Sequence, residues 1–280
     1  ELAKGLIEFK KGQKQSILKR FEELSEQTGA RYADPSAYKK VGSLVDTEMV
    51  NQFDAKSLKV DKAYQKARDA GETKQVVDTT KLEEWLETNA PEAISVPQIN
   101  SIEAKLQQLK KIKNGQVTVD DLENLYKVAG GLGEPGKSSG KYMKEVKNII
   151  NEMTEGAGGD LYRAARAQRK ELGRDFENTY RVAKLLGTKG GYTDRAVALD
   201  DVFSHVVLDG SLEEMRTVTK LLKKGGPDGQ KAYAELQGQT VQYLKDQLTK
   251  NASGQLSFAK LKTAIDTLDR EEKLAYMFGK

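Results

Sequence analysis

Residues 129–141 read AGGLGEPGKSSGK, and within them Gly131, Gly136, Lys137 and Ser138 take the G-x-x-x-x-G-K-S spacing of a phosphate-cradling loop. Such a loop works between a buried strand and a helix N-terminus, where backbone N–H groups surround the phosphates and the lysine neutralises them. The residues upstream do not supply the strand. Thr118 and Asp121 form a helix-start pair ahead of Leu122, Leu125, Tyr126 and Ala129 at helical spacing, and the only β-branched run nearby is the short VTV at 117–119. A magnesium-holding acid at a strand end is equally lacking. AVALDD at 196–201 runs on into Phe203, Val206 and Val207 at helical spacing, so Asp200 and Asp201 read as first-turn acids. A P-loop NTPase is therefore disfavoured. The glycines, proline and serines of residues 131–140 read instead as a linker between an N-terminal helical region, 1–130, and a C-terminal helical domain, 141–280.

Working outward, the remaining periodicity is helical and predicts an all-α, elongated assembly of two halves with no significant β-sheet. Leu2, Leu6, Phe9, Ile17, Phe21 and Leu24 outline a first helix that stops near Gly29, with lysines between them. Residues 30–46, with Pro35 and Gly42, read as a connection, and a helix follows over about 47–70. Thr80 and Glu83 suggest a capping box for a helix bearing the only tryptophan, Trp85, which shares its face with Leu82 and Leu86 and reads as a core anchor. Ile99, Ile102, Leu106, Leu109 and Ile112/Lys113 trace a narrow apolar stripe that suggests coiled-coil-like pairing.

Downstream, residues 160–187 read as one long helix. At about 100° per residue, Leu161, Tyr162, Ala165, Leu172, Phe176, Tyr180, Ala183 and Leu186 share one side. Arg163, Arg166, Lys170, Arg174, Arg181 and Lys184 share the other. Two short helices are expected over 194–210 and 211–226, the second capped by Ser211 and Glu214, then a long helix from Asp228 and a final pair from Ser257.

Composition limits the chemistry. With no cysteine, disulfides and thiolate ligands or nucleophiles are excluded, and with one histidine, His205, imidazole clusters are impossible. His205 sits among apolar residues with no nucleophile near it in sequence and reads as structural or surface. No calcium-loop series of alternating acids occurs, so neither a metal nor a cofactor is expected, and no enzymatic role. No apolar run reaches the roughly 20 residues of a membrane span, and the start lacks the apolar segment of a secretion signal, which reads as a soluble chain. Glu1 in place of an initiator methionine suggests a segment of a longer protein.

The net charge of +4 is concentrated: residues 1–20 hold six Lys/Arg against two Asp/Glu, leaving 40 of each sign elsewhere. Two basic faces follow, one around Lys10, Lys11 and Lys14 and one along Arg163 to Lys184. Either could meet nucleic-acid phosphates or an anionic membrane surface, although such stripes are ordinarily solvated. A helical nucleic-acid-binding module is the alternative function.

The stretches IKNGQVTVDDLENLYK (112–127), EGAGGDLYRAARAQRKELGRDFENTYRVAKLLGTKGGYTDRAVALDDVFSHVVLDGSLEEMRTVTKLL (155–222), GPDGQKAYAELQGQTVQYLKDQ (226–247) and FAKLKTAIDTLDREEKLAYMFGK (258–280) resemble internal virion proteins of short-tailed bacteriophages. These are the proteins ejected with the DNA. The resemblance covers about residues 100–280. It implies a non-enzymatic helical piece of a virion structural protein, packaged inside the capsid and delivered to the host envelope or periplasm. It further implies self-association and contacts with other virion proteins, with DNA and the host envelope as further partners. It transfers no catalytic residue. Glycine-punctuated helices with modest separate cores would suit a chain that unfolds to pass a narrow channel.

Overall fold

The computed structural model describes residues 2–31, 36–190, 193–250 and 256–279. The fold is all-α. The helices are α1 (Leu2–Thr28), α2 (Tyr38–Asp69), α3 (Thr80–Asn89), α4 (Gln98–Ile112), α5 (Val119–Leu132) and α6 (Ser138–Ala157). They continue as α7 (Asp160–Leu172), α8 (Tyr180–Leu186), α9 (Leu212–Lys224), α10 (Gly226–Asp246), α11 (Ala259–Arg270) and α12 (Lys273–Phe278). Among the described residues, extended pairing is limited to Thr249–Lys250 against Leu256–Ser257 and two isolated bridges, one of which joins Val76 to Thr118 within the VTV run.

The caps at Thr118/Asp121 and Ser211/Glu214 form as reciprocal boxes that start α5 and α9. At α3 the expected box does not form. Thr79, not Thr80, is the N-cap, its hydroxyl donates to the Glu83 side chain without capping a backbone N–H, and the Thr80 hydroxyl is held by Asp78 at 2.6 Å. Helix α2 begins at Tyr38, not near residue 47 as the sequence suggested, and Gly42 lies inside it. That glycine is required by packing, since a Cβ there would stand 1.9 Å from the Leu199 carbonyl oxygen.

The chain forms two compact units, residues 57–171 and the remainder, 1–56 with 172–280. The expected boundary at 131–140 falls inside the first of these. Residues 131–132 end α5, residues 138–140 begin α6, and the two helices pack on each other as an αα-hairpin. The short polar turn reads as a linker from composition alone, but each flanking helix has an apolar face that the other covers.

In the 57–171 unit, Leu82, Leu86, Ile99, Ile102, Leu106, Leu122, Leu125, Met143, Val146, Ile150 and Tyr162 build one core, with Trp85 partly buried against it. Helix α4 does not pair with a single partner: it touches α3, α5 and α6, and its stripe ends at Ile112, which is 65% exposed. In the other unit, α10 packs on α1 and α9. Phe21 of α1 joins Val241 and Leu244 of α10, Leu248 just beyond that helix, and Leu261, Ala264 and Leu268 of α11.

The helix expected over 160–187 is broken. Helix α7 stops at Leu172, a π turn spans Gly173–Glu177, and Thr179 is extended before α8 begins. The wider turn and the break rotate the apolar face, so Val182 and Leu185 are buried while Tyr180, expected inside, is 61% exposed. Residues 188–190 and 193–198 are likewise not helical. The helical part of the next segment is a 3-10 turn, Leu199–Asp201, followed by a second π turn, Ser204–Leu208.

Candidate functional site

The break separates the six expected basic residues into different settings. Arg163, Arg166 and Lys170 belong to the 57–171 unit and Arg174, Arg181 and Lys184 to the other, so no straight helix presents them together. The side chains of Lys10, Lys11 and Lys14 lie outside the described residues.

Arg166 is not on a cationic surface at all, being only 5% exposed. Its Nη1 donates to Glu123 Oε1 of α5 at 3.1 Å, Nη2 donates to Asn151 of α6, and its guanidinium stands 5.3 Å from the Tyr126 ring centroid. The fully buried Tyr162 donates its hydroxyl to the same Glu123 oxygen and meets the Tyr64 ring of α2 edge-on at 6.0 Å. Burial is the largest single influence and works against the charge of Arg166, but the Glu123 carboxylate together with Tyr64 and Tyr162 outweighs it, holding the guanidinium pKa above its ordinary value. Burial first, then the Glu123 charge, push the Tyr162 phenol upward. The group is a fixed cation, a hydrogen-bonded carboxylate and a phenol held protonated.

The start of α7 closes this arrangement. Glu72 accepts from the Tyr162 backbone N–H at 2.7 Å, covering one of the open donors of the helix. A Cβ on Gly158 would stand 2.2 Å from the Tyr162 ring, and one on Gly159 2.2 Å from the Glu72 carboxyl carbon. The glycines before Asp160 therefore admit a ring and a capping acid, in addition to ending α6.

Three exposed members of the set have local partners. Arg163, 50% exposed at its side chain, reaches Asp160 and the Gly158 carbonyl, both at 2.6 Å. Lys170 pairs with Glu155, Arg174 lies 3.1 Å from Asp175, and Lys184 is exposed near the end of α8. Arg181 is again inward, its side chain 12% exposed, with Nη2 donating to the Asp209 carbonyl at 2.8 Å and Nε 3.5 Å from Glu214. Its Nη1 meets His205, which is buried and not free at the surface.

Sequence reasoning missed Glu72, which accepts from the Tyr162 backbone, and Glu123, which accepts from the Tyr162 hydroxyl and Arg166, because partners 90 and 39 residues from Tyr162 leave no periodic signal. It also missed Lys273, which is 1% exposed, donates to the Leu208 carbonyl at 3.2 Å and pairs with Glu271 at 2.6 Å.

The phosphate-loop motif is the α5–α6 turn. Lys137 is the N-cap of α6, 67% exposed at its side chain and paired with Glu134. No group of three or more acids or histidines among the described residues is spaced to hold a metal ion. Nor is any helix among them long and apolar enough to cross a membrane. No protein-family model matches the chain, and no curated protein or solved structure is found to be similar to it.

Proposed function

We propose that the chain is a non-enzymatic structural segment of an internal virion protein of a short-tailed bacteriophage, packaged in the capsid and delivered with the genome to the host envelope. The sequence resemblance over residues 100–280 supplies the family. The structural observation that supports a scaffolding role is the commitment of inward-facing charges to ties between elements. Arg166 joins α7 to α5 and α6, Arg181 joins α8 to Asp209, and Glu235 of α10 accepts from the Arg31 backbone at 2.8 Å. Arg195 joins its loop to Asp46 of α2 at 2.9 Å. Partners are other copies of the chain and other virion proteins. A nucleic-acid-binding module draws less support, since Arg166 and Arg181 of its basic face point inward.

Quantitative mass spectrometry of particles made by the phage or prophage that encodes the chain tests this reading. The chain is expected in full particles and depleted from shells that have released their genome. Its absence from full particles, or its retention in empty ones, contradicts the proposal.

A further inference from the structure

His205 is the single histidine of the sequence and is 8% exposed, in the π turn Ser204–Leu208. Two contacts with Arg181 of α8 bracket its ring: Arg181 Nη1 lies 3.1 Å from Nδ1, and the Arg181 backbone carbonyl oxygen lies 3.2 Å from Nε2. A guanidinium can only donate and a carbonyl can only accept. The pair therefore requires a neutral ring with Nδ1 bare and the hydrogen on Nε2.

We propose that His205 is an acid-sensitive pin, which in its neutral Nε2–H form fastens α8 to the π turn and on taking up a proton at Nδ1 releases it. The new Nδ1–H would face the N–H of Arg181 Nη1, replacing a hydrogen bond by two donors and two like charges about 3.1 Å apart. Arg181 is held against swinging aside, with Nη2 on the Asp209 carbonyl at 2.8 Å and Nε 3.5 Å from Glu214 of α9.

The surrounding charges are mixed, and their balance favours the neutral ring. Burial, followed by the positive charges of Arg181 and Lys184 on α8, lowers the ring's pKa below its ordinary 6.5, against the Arg181 carbonyl and Asp209, which raise it. Glu214 pairs with Arg181, and the Tyr180 ring centroid lies 6.5 Å from the imidazole without a charge of its own to offer. As pH falls through about 6.5 the released ring binds a proton that the docked ring resists. The contribution of the pin is thus complete above that pH and declines below it, until the docked ring is itself protonated.

The full chain labelled with 15N-histidine gives a direct test, because one imidazole signal is present. At pH 7.5 the spectrum should show the Nε2–H tautomer, and the ring should titrate below 6.5. Amide hydrogen exchange at residues 182–186, corrected for intrinsic rates, should accelerate between about pH 7.5 and 5, by up to about tenfold for each unit of lowering. His205→Gln keeps one acceptor and one donor but cannot charge, so its exchange should not accelerate. An Nδ1–H tautomer, titration at or above 6.5, or equal acceleration in both proteins would overturn the pin. The wild-type tautomer and titration decide the matter even if the variant fails to fold.

Discussion

A methyl group added at Gly140 would meet the Glu134 carbonyl oxygen at 2.3 Å, whereas one added at Gly131 meets nothing within 4 Å. A phosphate loop needs its first glycine, and a helical hairpin needs the one where its turn closes. Gly131→Ala, inside α5, is therefore expected to stabilise by up to about 1 kcal/mol. Gly140→Ala should destabilise by about 1–3 kcal/mol, and urea unfolding of the two variants checks the order. The same method separates the arginines. Arg166→Ala strands a Glu123 carboxylate that is only 17% exposed at its side chain, and should cost about 3–5 kcal/mol. Arg163→Ala removes an exposed pair and should cost less than about 1 kcal/mol. Equal small losses at both positions would place Arg166 on a surface. Sequence gave no means of telling these arginines apart, because both follow α7 at helical spacing and the acid that distinguishes them is carried by another helix.

At the scale of elements, local chemistry was legible and long-range breaks were not. Thr118 and Asp121, or Ser211 and Glu214, lie three residues apart, so the interaction that starts the helix is visible in the sequence itself. The α7–α8 segment shows the opposite. Extrapolating 100° per residue past Gly173 put Tyr180 inside, whereas the π turn that begins at that glycine rotates Val182 and Leu185 there. Ser211→Ala should lower stability by about 1 kcal/mol and expose α9 amides to faster hydrogen exchange. The cap also has its own acid window. The Ser211 backbone N–H holds the Glu214 carboxyl below its ordinary 4.5, against a smaller effect of burial, so its contribution is complete above that pH and lost as pH falls below it. Acid destabilisation of His205→Gln should accordingly be confined to this lower range, as thermal melts across pH would show.

For the whole molecule, the division into units was misplaced by the sequence because a polar glycine turn resembles a linker whether or not the helices beside it pack together. The actual division has a mechanical consequence. Residues 57–171 are inserted between the two parts of the other unit, so tension applied at the chain ends reaches them only after that unit has opened. The proposed passage through a narrow channel would then proceed in stages, with the inserted unit opening last. Stretching single molecules by their termini tests this most directly. The final step should release the inserted segment, a contour length of about 400 Å at about 3.5 Å per residue, and should always follow the opening of the 1–56 and 172–280 unit. Extension of the entire chain in one cooperative event, or release of the inserted segment first, would contradict it.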